Sequence, residues 1–219
     1  FFKVEVELNK RLDVNVPVGY GYFDNLIFLK QKLGFAIFGI SDKFDICCRQ
    51  KIETYLATSK SKNLKPKIKY ICSIIEKSGE LLRQFHNCGY VNTLFQLTNI
   101  SINNQYRTIH DIDRAIPIFK LNRTELLCHK MLDYYTLASS TAKIAYSRQF
   151  IDYRNEIMNS IAAGYFGDKK LAVGLEAFDH LRFHTLFKKG MNINNLESPV
   201  IMSLIMKTMD HRFYQKIKS

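Results

Sequence analysis

Tryptophan is absent from the 219 residues, acidic side chains are scarce, and cysteines occur in an odd number. The missing tryptophan excludes little, because 16 Phe and 12 Tyr supply bulk for a core. With 47% hydrophobic residues the composition is that of a folded chain of one or two domains, not a disordered one. No apolar run reaches the ~18 residues that mark a membrane-crossing helix, and no leader-like segment opens the sequence, so neither a transmembrane span nor a signal peptide is expected. The shortage of acid, 20 Asp and Glu against 32 Lys and Arg, leaves a net charge of +12. That balance favours an anionic partner, whether RNA, an acidic membrane surface or an acidic protein subunit, without choosing among them. Cys47, Cys48, Cys72, Cys88 and Cys128 show no paired metal spacing, and the adjacent Cys47 and Cys48 lack a second pair for a structural zinc. Reduced thiols are expected rather than a disulfide scaffold. Abundant Asn, Lys and Ile resemble the product of an AT-rich genome, which points to an intracellular setting such as a mitochondrion or a bacterial cytoplasm.

Residues 1–12 suit a short helix, and Val16-Pro17-Val18-Gly19 a turn. Residues 26–40 mix β-branched and aromatic side chains with Gly34 and Gly39, as a strand pair would. Residues 45–58 read as helix, and 59–66 as a lysine-rich polar loop ending in Pro66. From Lys67 to Phe85 a 3.6-residue period runs through Ile68, Ile71, Ile74, Ile75, Ser78, Leu82 and Phe85, predicting a buried helix over 67–88 that Gly89 stops. Long amphipathic runs fill 123–163, with Thr124 as the expected N-cap. Asp168 is a further cap candidate, and Pro199 opens a last helix. No internal repeat is visible.

The segment from Leu81 to Ala115, LLRQFHNCGYVNTLFQLTNISINNQYRTIHDIDRA, orders a helix end, a glycine turn, an irregular loop, a strand and an acidic tip. It resembles the catalytic segment of the lipopolysaccharide kinase family, sugar kinases with a protein-kinase-like fold, where the order is LLRxLHxxG, HxDLxxxN, a strand and DFDRA. The resemblance is specific over about 35 residues. It implies an α+β, mostly helical fold: a residual N-lobe-like segment over 1–45 (helix, PVGYG turn, strands) and a helical kinase-like C-lobe over 46–219. VPVGYGYF at 16–23 resembles the family's PxPxxYG stretch, which makes Glu5 or Glu7 the glutamate that would pair with the nucleotide lysine. That alignment puts the glycine-rich loop and lysine strand before Phe1, and Lys30 and Lys32 fall at the wrong point to replace them.

The resemblance also implies an edited site. Leu94 occupies the place of the catalytic aspartate, while Asn99, Asp111 and Asp113 remain as a vestigial Mg²⁺ site, with Asn99 and Asp111 expected close in space. Phosphoryl transfer needs a carboxylate to position the attacking hydroxyl and take its proton, and leucine does neither. The expected function is therefore that of a degenerate pseudokinase, a binding or scaffold subunit among protein partners, with no cofactor required although ATP and Mg²⁺ are the ligands the ancestry admits. Two rivals stand beside it: an active sugar-type kinase with Asp113 as displaced base, and a basic RNA-associated subunit of an organellar complex. His86 is read as a structural helix-end histidine bonded to backbone near the loop, and Asn92 replaces the loop histidine.

Away from the resemblance, Lys60, Lys62, Lys65, Lys67 and Lys69 cluster as an anionic-partner patch, the alternative being a solvated loop and helix start. Lys207, Arg212, Lys216 and Lys218 form a second basic cluster. His180 and His184 lie one helical turn apart, but the glutamate of a metalloprotease helix is missing, and ordinary amphipathic histidines are the simpler reading.

Overall fold

The computed structural model describes residues 19–23, 26–29, 46–60, 62–92, 94–102, 107–109 and 115–167, together with Gln215. The expected helices at 1–12 and from Pro199, the cap at Asp168, the His180–His184 pair and the second basic cluster lie outside the described residues. Strand β1 (Gly19–Phe23) pairs antiparallel with β2 (Leu26–Leu29), with an irregularity between Gly19 and Gly21. Strand β2 lies in the segment expected to hold a strand pair, whose residues 30–40 lie outside the described residues, and its partner β1 begins at Gly19, which reads as part of a turn in the sequence. Tyr20, Tyr22 and Phe23 are strand formers, and only Asp24-Asn25 separates the two runs.

The remainder is mostly helical. Helix α1 spans Cys48–Thr58 and α2 spans Leu64–Asn87. Asn63 caps α2 through its side-chain oxygen, which accepts from the Lys65 amide at 3.0 Å. Pro66 falls in the first turn, where a missing N–H costs no helical bond. The periodic stripe is buried throughout: Ile68, Ile71, Ile74, Ile75, Leu82 and Phe85 meet the core, and Ser78 turns its hydroxyl back to the Ile74 carbonyl. Gly89 ends the element with φ of 91°, a left-handed conformation that a side chain would strain.

The chain then passes through β3 (Tyr90–Val91), β4 (Ile100–Ile102), β5 (Arg107–Ile109) and β6 (Ile116–Pro117). These form two antiparallel pairs, β3 with β6 and β4 with β5. A 3₁₀ turn at Ile118–Lys120 leads into α3 (Arg123–Ala145), and a second at Ile151–Tyr153 into α4 (Arg154–Phe166).

Helix α3 departs from its sequence reading in two ways. Its cap is Asn122, not Thr124: the Asn122 side chain accepts from the amides of Thr124 and Glu125, and Glu125 returns a bond to the Asn122 amide at 2.9 Å. A glutamate three residues on completes a reciprocal box that Thr124 has no partner to build. Nor is the helix amphipathic over its second half. From Met131 to Ala145 it is buried on most sides, and the polar members Asp133, Thr136, Ser140 and Thr141 are buried with the rest.

Helices α2 and α4 cross in very close contact. A Cβ on Gly164 would overlap the Glu76 carbonyl, and one on Gly79 would stand 2.5 Å from the Ile161 carbonyl oxygen. Two glycines therefore let the backbones touch, with Tyr90, Tyr134, Phe85, Phe95 and Phe150 among the large side chains filling the core. All five cysteines are free thiols, and burial pushes that of Cys48 up to about 12.

Candidate functional site

The loop between β3 and β4 is irregular, so its backbone groups need partners from elsewhere. Helix α3 supplies part of them from one stripe. The Asp133 Oδ2 accepts from the Asn92 amide at 2.8 Å. The Thr136 hydroxyl donates to the Asp133 carbonyl at 3.0 Å and lies 3.4 Å from the Phe95 carbonyl, and the Ser140 hydroxyl accepts from the Leu97 amide at 3.1 Å. Residues at i, i+3 and i+7 share a helix face, so three polar side chains act as a ruler along which the loop is fastened. Helix α1 holds the far side, where the Arg49 amide donates to the Leu97 carbonyl at 3.2 Å.

Apolar residues in the loop do the complementary task. Phe95 and Leu97 are fully buried, and the Phe95 ring lies 5.8 Å from that of Phe85 on α2. Leu94 is half-buried. Its carbonyl accepts from the Asn99 side-chain amide at 3.2 Å, which closes the loop and brings positions 94 and 99 together. The Asn99 Oδ1 accepts from the Thr98 hydroxyl at 3.2 Å.

Behind the loop, Asp133 is wholly buried. The same Oδ2 that holds the Asn92 amide accepts from His86 Nε2–H at 3.1 Å, and the Tyr165 hydroxyl on α4 lies 2.7 Å from His86 Nδ1. Burial lowers the His86 pKa below its ordinary value, outweighing the hydrogen bond and charge of Asp133 that raise it, and Lys130 lowers it further. Burial, with the Asp133 charge behind it, raises that of Tyr165. The consistent proton arrangement is a neutral imidazole donating from Nε2 to the carboxylate while the phenol donates to Nδ1. Both ring nitrogens are engaged and the side chain is buried, so the imidazole is held in one orientation between Asp133 and Tyr165. It reaches the loop backbone through Asp133, where the sequence suggested a direct bond.

Of the sequence candidates, the structure brings Leu94 and Asn99 into one closed turn. Asp111, Asp113, Glu5 and Glu7 lie outside the described residues. A hard Mg²⁺ ion takes oxygen ligands, and Asn99 Oδ1 is of that type. Among the described residues no group of three His, Cys, Asp or Glu side chains is placed to share an ion.

In the basic patch, Lys60, Lys62, Lys65 and Lys69 are exposed, whereas Lys67 is only 8% exposed. The correction follows from helix period: Lys67 precedes Ile71 by four residues and so shares the buried stripe, which covers its aliphatic stem. No described helix is long and apolar enough to cross a membrane.

Sequence reasoning missed Asp133, Thr136, Ser140 and Tyr165. The available signal was three polar residues at helical spacing inside an otherwise apolar run. No protein-family model matches the chain, and no curated protein does.

Proposed function

We propose that this chain is a degenerate kinase-like protein, resembling the lipopolysaccharide sugar kinases, that acts by contact as a binding or scaffold subunit of a larger assembly. The observation that carries the reading is the closed loop at 94–99, where the Asn99 amide donates to the Leu94 carbonyl. A phosphotransferase needs a carboxylate base beside a metal-binding side chain, and this bond sets those two positions next to each other. At the first of them stands a half-buried leucine. On the kinase-like reading, an apolar side chain stands where the reaction needs an acceptor for the hydroxyl proton, which supports a role in contact over one in catalysis. The two antiparallel strand pairs that flank it, β3–β6 and β4–β5, hold it as a scaffold element.

Contact falls to the exposed lysines. Lys60, Lys62, Lys65 and Lys69 present four cations at the start of α2, where the first turn has no acidic residue. Charge reversal at Lys62, Lys65 and Lys69 should weaken association with the chain's partners and leave the fold intact, since exposed charges contribute little to stability. Transfer of the ATP γ-phosphate to sugar or protein hydroxyls should not rise above buffer hydrolysis. Robust turnover abolished by Asp111→Ala would overturn the proposal, as would a protein that stays monomeric in native extracts.

A further inference from the structure

Phe119 is 82% exposed, the most exposed of the large hydrophobic residues described. Its neighbours explain why it does not turn inward. On one side the β3–β6 pair ends at Pro117, and the Ile118 amide donates to the Gly89 carbonyl at 2.8 Å. On the other, the Leu121 amide closes on the Ile118 carbonyl at 3.0 Å, and the Asn122–Glu125 box starts α3. The backbone on both sides of the ring is pinned, so the phenyl group is held in water by a rigid turn. An apolar anchor fixed in advance loses little freedom when a partner covers it, which is the property of residues that dominate interface energy.

The surroundings select the partner. Lys120 and Arg123 are exposed beside Phe119, and residues 115–124 contain no Asp or Glu. Glu125, five residues beyond Lys120, is occupied by the Asn122 amide. No carboxylate among the described residues pairs with Lys120 or Arg123. A second copy of this basic turn would meet like charge. Single-stranded RNA needs a series of rings for successive bases. Among the described residues the next exposed aromatic, Tyr146, lies past the far end of α3, a helix about 34 Å long at ~1.5 Å per residue.

We infer that the turn at 118–123 is a docking site for an acidic segment of a partner protein, one carrying a large aliphatic or aromatic side chain that covers the Phe119 ring while its carboxylates face Lys120 and Arg123. The inference does not depend on kinase descent, and its surface is distinct from the lysines of α2.

The test pans a phage library of random peptides against the full chain and measures the enriched peptides by fluorescence anisotropy. The enriched sequences should combine Asp or Glu with a large apolar residue. Phe119→Ala should weaken their binding by at least about tenfold, the Lys120→Glu, Arg123→Glu pair by a comparable factor at low salt, and Lys62→Glu not at all. Since Phe119 is exposed, its replacement leaves the fold intact, checked by circular dichroism. Enrichment of nothing above background, enrichment of peptides without acid, or equal binding to Phe119→Ala would overturn the inference. So would Phe119-dependent binding of an oligouridylate, or a dimer in sedimentation that Phe119→Ala dissolves.

Discussion

Replacing Asp133 by alanine and by asparagine should give sharply different losses, because both of its bonds fall on one oxygen. Oδ2 accepts from the Asn92 amide and from His86 Nε2, while Oδ1 has no partner among the described residues. Alanine removes that shared acceptor and leaves two buried donors, the Asn92 amide and the imidazole N–H, without a partner. Bonds to a charged acceptor contribute about 1.5–3 kcal/mol each, and an orphaned buried donor costs about 1–3 kcal/mol, so Asp133→Ala should lose about 4 kcal/mol. Asparagine can present its carbonyl oxygen where Oδ2 stands and keep both bonds as neutral ones. Its NH₂ group then takes the place of an oxygen that already lacks a partner, and the buried charge is gone. A loss of about 1–2 kcal/mol is expected. Urea unfolding followed by far-ultraviolet circular dichroism measures both, with an unchanged slope showing that the folded and unfolded states remain comparable. The reasoning is refuted if asparagine costs as much as alanine, or if alanine costs less than about 1 kcal/mol.

Two further outcomes follow from the same core. Burial lowers the His86 pKa below 6.5, so as pH falls through the ordinary imidazole range the unfolded chain takes up a proton that the folded chain refuses. Stability should therefore be fully present above about pH 6.5 and decline below it, by at most ~1.4 kcal/mol per pH unit from this group, and urea titrations of wild type and His86→Asn should differ by that slope. At the α2–α4 crossing, Gly164→Ala sets a methyl group against the Glu76 carbonyl, a backbone atom that no rotamer change can move aside. Overpacking of about 1–3 kcal/mol or more should exceed the ~1 kcal/mol gain in helix propensity and lower the melting temperature; a rise would mean the helices do not touch there.

Helix α2 was legible because its signals are local, a 3.6-residue stripe with Gly89 after it, but its start was read three residues late, since the cap that sets it is Asn63 and residues 64–66 read as loop. The same period, applied to Lys67, would have placed that lysine on the buried face and removed it from the basic patch. Helix α3 was legible as a helix but not as a buried one, since Asp133, Thr136 and Ser140 read as a polar face until their partners are known. Those partners lie in a loop far back in the chain, and nothing at either end announces the pairing. Strands β3 and β6 are two residues each and meet across an intervening stretch holding the loop and the β4–β5 pair, so no local alternation marks them. Within the loop, the apolar character of Leu94 was visible in the sequence, whereas the bond from Asn99 that closes the turn was not.

The fasteners between the loop and α3 join residues 41, 41 and 43 positions apart in the chain. Contacts of that span form only after the intervening segment has been ordered, because closing a long loop precedes any reward from it. During synthesis the Asn92 and Leu97 amides therefore stay bonded to water until Ser140 has emerged and α3 has docked. The loop's shape depends on the helix beneath it, so in hydrogen exchange the Asn92 and Leu97 amides are expected to gain their protection from the docking of α3.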